Sequence, residues 1–204
     1  MSAPKIVTLL FAIFALVPVG CATVEGGTRT ETDSQSKPPP PKGADRLPDD
    51  NFDPAGLDRR DIDLNRDTLP DAYQFAQVKD GELIVVRKEV DVNFDGKIDL
   101  VRMFDENGEL TTERLDTDFD GRVDVVNVFE GGSLARKEYD TNFDSNTDLW
   151  RYFEGGVIAR KEADLDHNGQ VDYWEYYEKG QIDRVGVDLD GDGSVDEWTT
   201  ANAS

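Results

Sequence analysis

The sequence predicts an all-β protein. Tandem strand-turn-strand-loop repeats of about 24 residues should form an antiparallel meander, an open twisted sheet or a superhelix, behind a disordered N-terminal region. Three observations predict it. An acidic nonapeptide recurs, as DVNFDGKID from Asp91, DTDFDGRVD from Asp116, DTNFDSNTD from Asp140, DLDHNGQVD from Asp164 and DLDGDGSVD from Asp188, at intervals of 25, 24, 24 and 24 residues. A β-branched or aromatic run of strand length follows each of the first four loops: LVRMF, VVNVF, LWRYF and YWEYY. Turn signals (DENG, EGG, EGG, EKG) then lead into a second short run, such as SLARKEY at 133–139 and VIARKEA at 157–163. A degenerate earlier copy, DLNRDTLPD, starts at Asp63. This first copy and the truncated last one read as caps for the terminal edges.

Strand alternation assigns the faces. Val101, Val126, Trp150, Trp174 and Trp198 form one column, with Met103, Val128, Tyr152 and Tyr176 beside it on the same face. Arg102, Asn127, Arg151 and Glu175 lie opposite. Aromatics at one place in successive repeats should stack into a ladder that serves as core. Arg87, Arg136, Arg160 and Arg184 form a further column, expected on a solvated face and paired with Glu138 and Glu162.

The chain divides into three parts: 1–20, 21–60 and 61–204. In the first, Lys5 precedes an apolar run of fourteen residues, Ile6 to Val19. That is too short to cross about 30 Å of hydrocarbon but suits the apolar region of a signal peptide. Gly20 then precedes Cys21, the only cysteine. This segment resembles a bacterial lipoprotein signal. The resemblance implies cleavage before Cys21 and lipidation of that residue. Pro18 stands where such signals usually carry Leu. Ala22 and Thr23 lack the Asp that retains such proteins at the inner membrane, which implies an outer-membrane anchor. Residues 22–60 hold few apolar side chains and a four-proline run at Pro38–Pro41. Too little surface can be buried there to offset ordering entropy, so a tether of roughly 35 Å reach is expected.

The nine-residue loops have the outline of a hard-cation site. Oxygens at positions 1, 3 and 5 should converge, a backbone carbonyl at position 7 should add one, and glycine at position 6 permits the sharp turn. Candidate side-chain ligands are Asp91, Asn93, Asp95 and Asp99; Asp116, Asp118, Asp120 and Asp124; Asp140, Asn142, Asp144 and Asp148. The last two loops add Asp164, Asp166, Asn168 and Asp172, then Asp188, Asp190, Asp192 and Asp196. Lys97, Arg122, Gln170 and Ser194 would offer main-chain carbonyls. An all-oxygen donor set of this size favours Ca²⁺ over transition metals and over Mg²⁺. Ile98, Val123, Val171 and Val195 at position 8 should pin each loop to the core. His167 should point away from the metal. Ser145 at position 6 weakens the loop at Asp140, and Thr68 and Pro70 leave the loop at Asp63 as a remnant.

These loops resemble the calcium-binding aspartate loops of EF-hands, dockerins, thrombospondin type 3 repeats and integrin β-propellers. An EF-hand would need an acid at position 12. That position holds Arg102, Asn127, Arg151, Glu175 and Thr199, so Glu175 alone fits. The ninth-position Asp between two strands is closer to the integrin-type site, in which Asp99, Asp124, Asp148, Asp172 and Asp196 would complete the coordination.

Charge supports this reading. The chain has 22 Lys+Arg and 44 Asp+Glu, a formal net of -22, which excludes the basic stripe that nucleic acid requires. Residues 61–204 contain 36 acidic and 15 basic side chains, and 20 of the acids fall at loop positions 1, 3, 5 and 9. The remaining 16 nearly balance the 15 bases, so the excess sits at ligand positions. Six Ca²⁺ would take the region from -21 to -9. One His and one Cys exclude a Ser-His-Asp or Cys-His set.

The expected function is a non-enzymatic, surface-anchored, calcium-binding lipoprotein that presents a β-scaffold to a protein or glycan. Two alternatives are a carboxylate-based glycoside hydrolase, tested at Glu175 and Glu178, and a helical EF-hand sensor or buffer.

Overall fold

A computed structural model describes residues 51–201. The segment expected to hold the signal and Cys21 lies outside the described residues. The described chain forms twelve antiparallel strands in one sheet, ordered β1 to β12 in sequence order, with no helix. The strands are β1 (Asp58–Ile62), β2 (Ala72–Lys79), β3 (Glu82–Val90), β4 (Leu100–Phe104), β5 (Leu110–Leu115) and β6 (Val125–Glu130). They continue as β7 (Ser133–Tyr139), β8 (Leu149–Glu154), β9 (Val157–Ala163), β10 (Tyr173–Glu178), β11 (Gln181–Val187) and β12 (Glu197–Thr200). Each strand packs only on its chain neighbours, so the sheet is open and one layer thick.

Two kinds of connection alternate. At one end are tight turns whose paired central residues have positive φ, as at Asp80-Gly81, Gly131-Gly132, Gly155-Gly156 and Lys179-Gly180. Such turns match the right-handed twist of the strands they join. At the other end are the acidic loops. Every tight hairpin also carries a bulge at the same place, leaving Val86, Thr111, Ala135, Ala159 and Asp183 unpaired. The extra residue bends and twists the strand. It also sets the arginine column directly opposite the strand carrying the tyrosines.

That register corrects two expectations. Among the described residues, Tyr176 and Trp198 are the only two of these aromatics that meet, with ring centres 5.7 Å apart; elsewhere a returning strand lies between successive aromatic strands. Tyr152 faces Arg136 and Arg160, and Tyr176 faces Arg160 and Arg184. The Arg160 guanidinium lies 4.0 Å from the Tyr152 ring centre, and that of Arg184 lies 4.6 Å from Tyr176 and 5.1 Å from Trp198. The arginines therefore share the aromatic face instead of forming a separate solvated one. Their pairing with glutamate does occur, through Arg136–Glu138 at 2.6 Å and Arg160–Glu162 at 3.3 Å. Trp198 closes this face over Gly186, where a Cβ would stand 2.9 Å from the indole.

Among the described residues, the clustered apolar core lies in the first repeats. Tyr73, Phe75, Ile98 and Val101 are buried, and Phe52, Leu57, Met103 and Val123 pack against them. Phe52 meets Phe75 edge-on at 5.0 Å. The folded unit thus reaches back before Asp61, the boundary the composition placed there. Arg87 and Glu89 form a buried 2.7 Å ion pair in this region. Phe75→Ala should cost about 3–5 kcal/mol in equilibrium denaturation, because a fully enclosed ring is lost. Trp198→Ala should cost less than half as much, since that indole is 47% exposed. Equal costs would mean the core is not confined to the first repeats.

Candidate functional site

Each acidic loop is built by its own carboxylates. In the loop at Asp91, Asp91 Oδ1 accepts the Phe94 amide at 2.6 Å and Oδ2 accepts the Gly96 amide at 2.7 Å. Asn93 Oδ1 accepts the Asp95 amide, and Asp95 Oδ1 accepts the Lys97 amide. Asp99 Oδ2 closes the loop by accepting the Val92 amide at 2.7 Å. The same bonds from position 6 to 1 and from position 2 to 9 recur in the other loops, including the degenerate one at Asp63. The amides of Lys97, Arg122, Gln170 and Ser194 are all held by position 5. A carboxylate has about four lone-pair sites, so these bonds leave acceptor capacity for a cation.

Two residues per loop adopt left-handed φ. Position 6 has glycine except for Thr68 (φ 82°) and Ser145 (φ 76°). Position 4 was not anticipated. Arg66, Phe94, Phe119, Phe143 and His167 lie there at φ 59–69°, a conformation costly for bulky side chains.

The loops join into a continuous edge. The Asp116 amide donates to the Asp99 carbonyl at 2.8 Å, and Asp140, Asp164 and Asp188 donate in the same way to Asp124, Asp148 and Asp172. This buries the first and ninth positions in most loops. Asp91, Asp99, Asp116, Asp124, Asp140, Asp148 and Asp164 are all buried, although each is a carboxylate.

Three groups of acids bring ligand oxygens within 4.8 Å of one another: Asp116, Asp118 and Asp124; Asp164, Asp166 and Asp172; and Asp188, Asp190 and Asp196. They are positions 1, 3 and 9 of the three loops that carry Asp at position 3. Asn93 and Asn142 occupy that position in the loops at Asp91 and Asp140, and their amides donate to Asp99 and Asp148. No position 5 acid is among these three groups, although the charges of Asp95 and Asp192 act on Asp99 and Asp190. The position 5 residues Asp95, Asp120, Asp144, Asn168 and Asp192 are exposed, and Asp120 is paired with Arg122.

Glu175 is not part of its loop's group either. It lies within β10 and accepts hydrogen bonds from Tyr173 Oη at 2.8 Å, from Tyr177 Oη and from Lys161 Nζ at 3.3 Å. Burial opposes its charge, but those donors outweigh it and hold the carboxyl below its ordinary value. Burial and the bond to Glu175 push both tyrosines up to about 12.

The crowding of acids appears in their ionisation. Burial pushes Asp99 up to about 6, with Asp91 and Asp95 adding to it. Burial also raises Asp116, and Asp124 and Asp118 act in the same direction. Asp190 is raised by the charges of Asp196 and Asp192. At Asp188 burial acts upward too, but amides from Gly193, Gly191, Asp190 and Asp192 outweigh it and lower the carboxyl.

His167 points neither at its own loop's acids nor into solvent alone. Its Nδ1 lies 3.0 Å from Asp148, the ninth residue of the preceding loop. That bond raises the imidazole value. Burial works against the Asp148 charge, but His167 and Thr141 offset it and lower the carboxyl.

No family model matches the chain, and no curated protein matches it. Among solved structures, accessory secretory protein 1, 2 and 3 of Streptococcus pneumoniae matches over 58% of this chain at 19% identity, with a TM-score of 0.41. The glycosylation-associated Gap123 complex of Streptococcus agalactiae matches over 69% at 17% identity, with a TM-score of 0.29. The matched stretches are 21% and 20% of those chains, so this protein spans about a fifth of their length.

The His167–Asp148 pair predicts a pH window. The raised imidazole contributes stability that is lost as pH rises through its folded value. The lowered carboxyl contributes stability that is lost as pH falls through its own. His167→Phe restores the residue type of three sibling loops. In EDTA it should lower the melting temperature most between about pH 4 and pH 6.5, with the difference shrinking above neutrality. A difference that stays flat across that range would show that the pair carries no charge-dependent stability.

Proposed function

We propose that the chain is a non-enzymatic, calcium-stabilised β-scaffold that presents its sheet to a protein or glycan partner. The observation that carries this reading is the convergence of positions 1, 3 and 9 into a three-carboxylate group in each loop with Asp at position 3. An all-oxygen set of this charge, with no His or Cys in it, suits Ca²⁺. A cation there would neutralise carboxylates that burial and mutual repulsion disfavour. Glu175 bears on the enzymatic alternative, because its oxygens are taken by two tyrosines and a lysine. Glu178 stands exposed beside Lys179. A shallow groove of about 520 Å³ on the aromatic face has Glu130 and Glu154 as its acids, and both are exposed. None of these has the enclosed, paired setting of a glycosidase acid.

Calcium would act as a folding cofactor. Extracellular sites of this kind bind at about 10⁻⁴–10⁻³ M. With about 1 mM Ca²⁺ and Kd near 0.1 mM, one site contributes roughly 1.4 kcal/mol, and four contribute about 6 kcal/mol. That is comparable with the whole stability of a small domain. The all-β architecture has no helix pair to open, which argues against a sensor of EF-hand type. The leader sequence supports delivery to the bacterial envelope, with Cys21 as the lipid anchor at the outer membrane.

Melting followed by circular dichroism tests the cofactor role. The midpoint should climb by many degrees across a calcium series after EDTA treatment, and magnesium should not reproduce the climb. Asp118→Asn places at position 3 the residue that sibling loops already carry, so the fold should survive. One site should then weaken roughly tenfold in calorimetric titration. A midpoint unmoved by calcium would reduce the loops to aspartate-rich turns.

A further inference from the structure

The two faces of the sheet differ in chemistry across β7, β8 and β9. On the face away from the tyrosine–arginine ladder, Lys137 stands directly opposite Arg151, and Arg151 directly opposite Lys161. Like charges opposed on neighbouring strands destabilise a sheet. They stand so in a chain of net charge -22, where acidic partners are abundant. Lys161 reaches Glu175 at 3.3 Å. Among the described residues, neither Lys137 nor Arg151 has a carboxylate within ion-pair distance.

Aromatic rings flank this row on both sides. Tyr139 and Tyr173 lie toward the acidic loops, 5.2 Å from the Arg151 guanidinium and 5.1 Å from the Lys161 ammonium. Phe153, two residues after Arg151, lies half-buried toward the turns. Asn127, directly opposite Lys137, is buried with its side-chain oxygen lacking a donor, while its Nδ2 donates to Glu113 at 2.9 Å. Among the described residues, no other element packs over this face.

We propose that this face binds an acidic polysaccharide laid across the strands. Its carboxylates sit on Lys137, Arg151 and Lys161, and the C–H faces of its rings sit on the flanking aromatics. Neighbouring strands are about 4.8 Å apart. That is near the length of one pyranose residue, so a uronate chain advances about one sugar per strand. An anionic bilayer has no such pitch, and single-stranded nucleic acid spaces its phosphates more widely. The inference names a partner class for the proposed scaffold and rests on that reading for a folded sheet.

The test is titration of the full chain, at saturating calcium, with hexagalacturonate, which is too short to gel. Binding should weaken with salt, and a neutral maltohexaose should not bind. The triple variant Lys137→Gln, Arg151→Gln, Lys161→Gln should lose at least about tenfold in affinity with the β spectrum unchanged, while loss of the Lys161–Glu175 pair lowers its melting temperature modestly. Lys137→Arg with Lys161→Arg should retain binding. Arg136→Gln with Arg160→Gln changes charge on the other face and should stay within about twofold. If that pair disturbs the β spectrum, Arg114→Gln replaces it as the control. Equal losses on both faces, or binding unaffected by the triple variant, would overturn the proposal. Preferential capture of phosphatidylglycerol vesicles or oligothymidylate would also overturn it. The calcium dependence of melting in the same samples reports on the scaffold reading separately.

Discussion

Two rows of aspartates, at the first and ninth positions of each loop, are the constraint on which the rest of the sheet depends. Their carboxylates accept the amides that turn each loop, and their backbones hydrogen-bond one loop to the next. A single-layer sheet of twelve strands has no second apolar layer to hold its strand ends. Here the loop edge does this work through polar groups. The arrangement has a cost, since carboxylates are buried near one another and those at Asp99 and Asp116 are pushed toward protonation. A divalent cation is the simplest species that could offset that cost without disturbing the amide bonds.

The strands need further order, because most of their side chains are only half-buried. Alternating tyrosine with arginine supplies it on one face. A guanidinium lies against an aromatic ring while its edge reaches a glutamate on its own strand. The bulge in each hairpin makes this possible by bringing arginine opposite tyrosine. The first repeats depart from the pattern, since Phe52 and Leu57 cover the sheet there and turn the Arg87–Glu89 pair into a buried one. Among the described residues, the sheet has a conventional core at one end and no element packed over the rest.

Much of the site was legible because its chemistry is local. Positions 1, 3 and 9 recur at fixed spacing, and their convergence follows from a nine-residue loop between paired strands. At position 5 one side-chain oxygen is taken by the position 7 amide, a bond that the spacing alone does not announce. Position 4 was illegible for a different reason. Phenylalanine rarely takes left-handed φ, so nothing in its identity announces that Phe94, Phe119 and Phe143 do. Glu175 matched a spacing rule from a helical site, yet a strand at that point directs it onto the sheet among Tyr173, Tyr177 and Lys161.

By itself the sequence determined the repeat, the meander, the turns and the acidic loops, because each is set by contacts within about one repeat length. Strand alternation likewise placed Trp150 and Tyr152 on one face and Arg151 on the other. Only the tertiary structure decided what lies beside each column. Pairing between strands depends on register, and a one-residue bulge shifts it without leaving a mark in composition. That register inserted arginines between the tyrosines, aligned Lys137, Arg151 and Lys161 across three strands, and set His167 against the aspartate of the preceding loop.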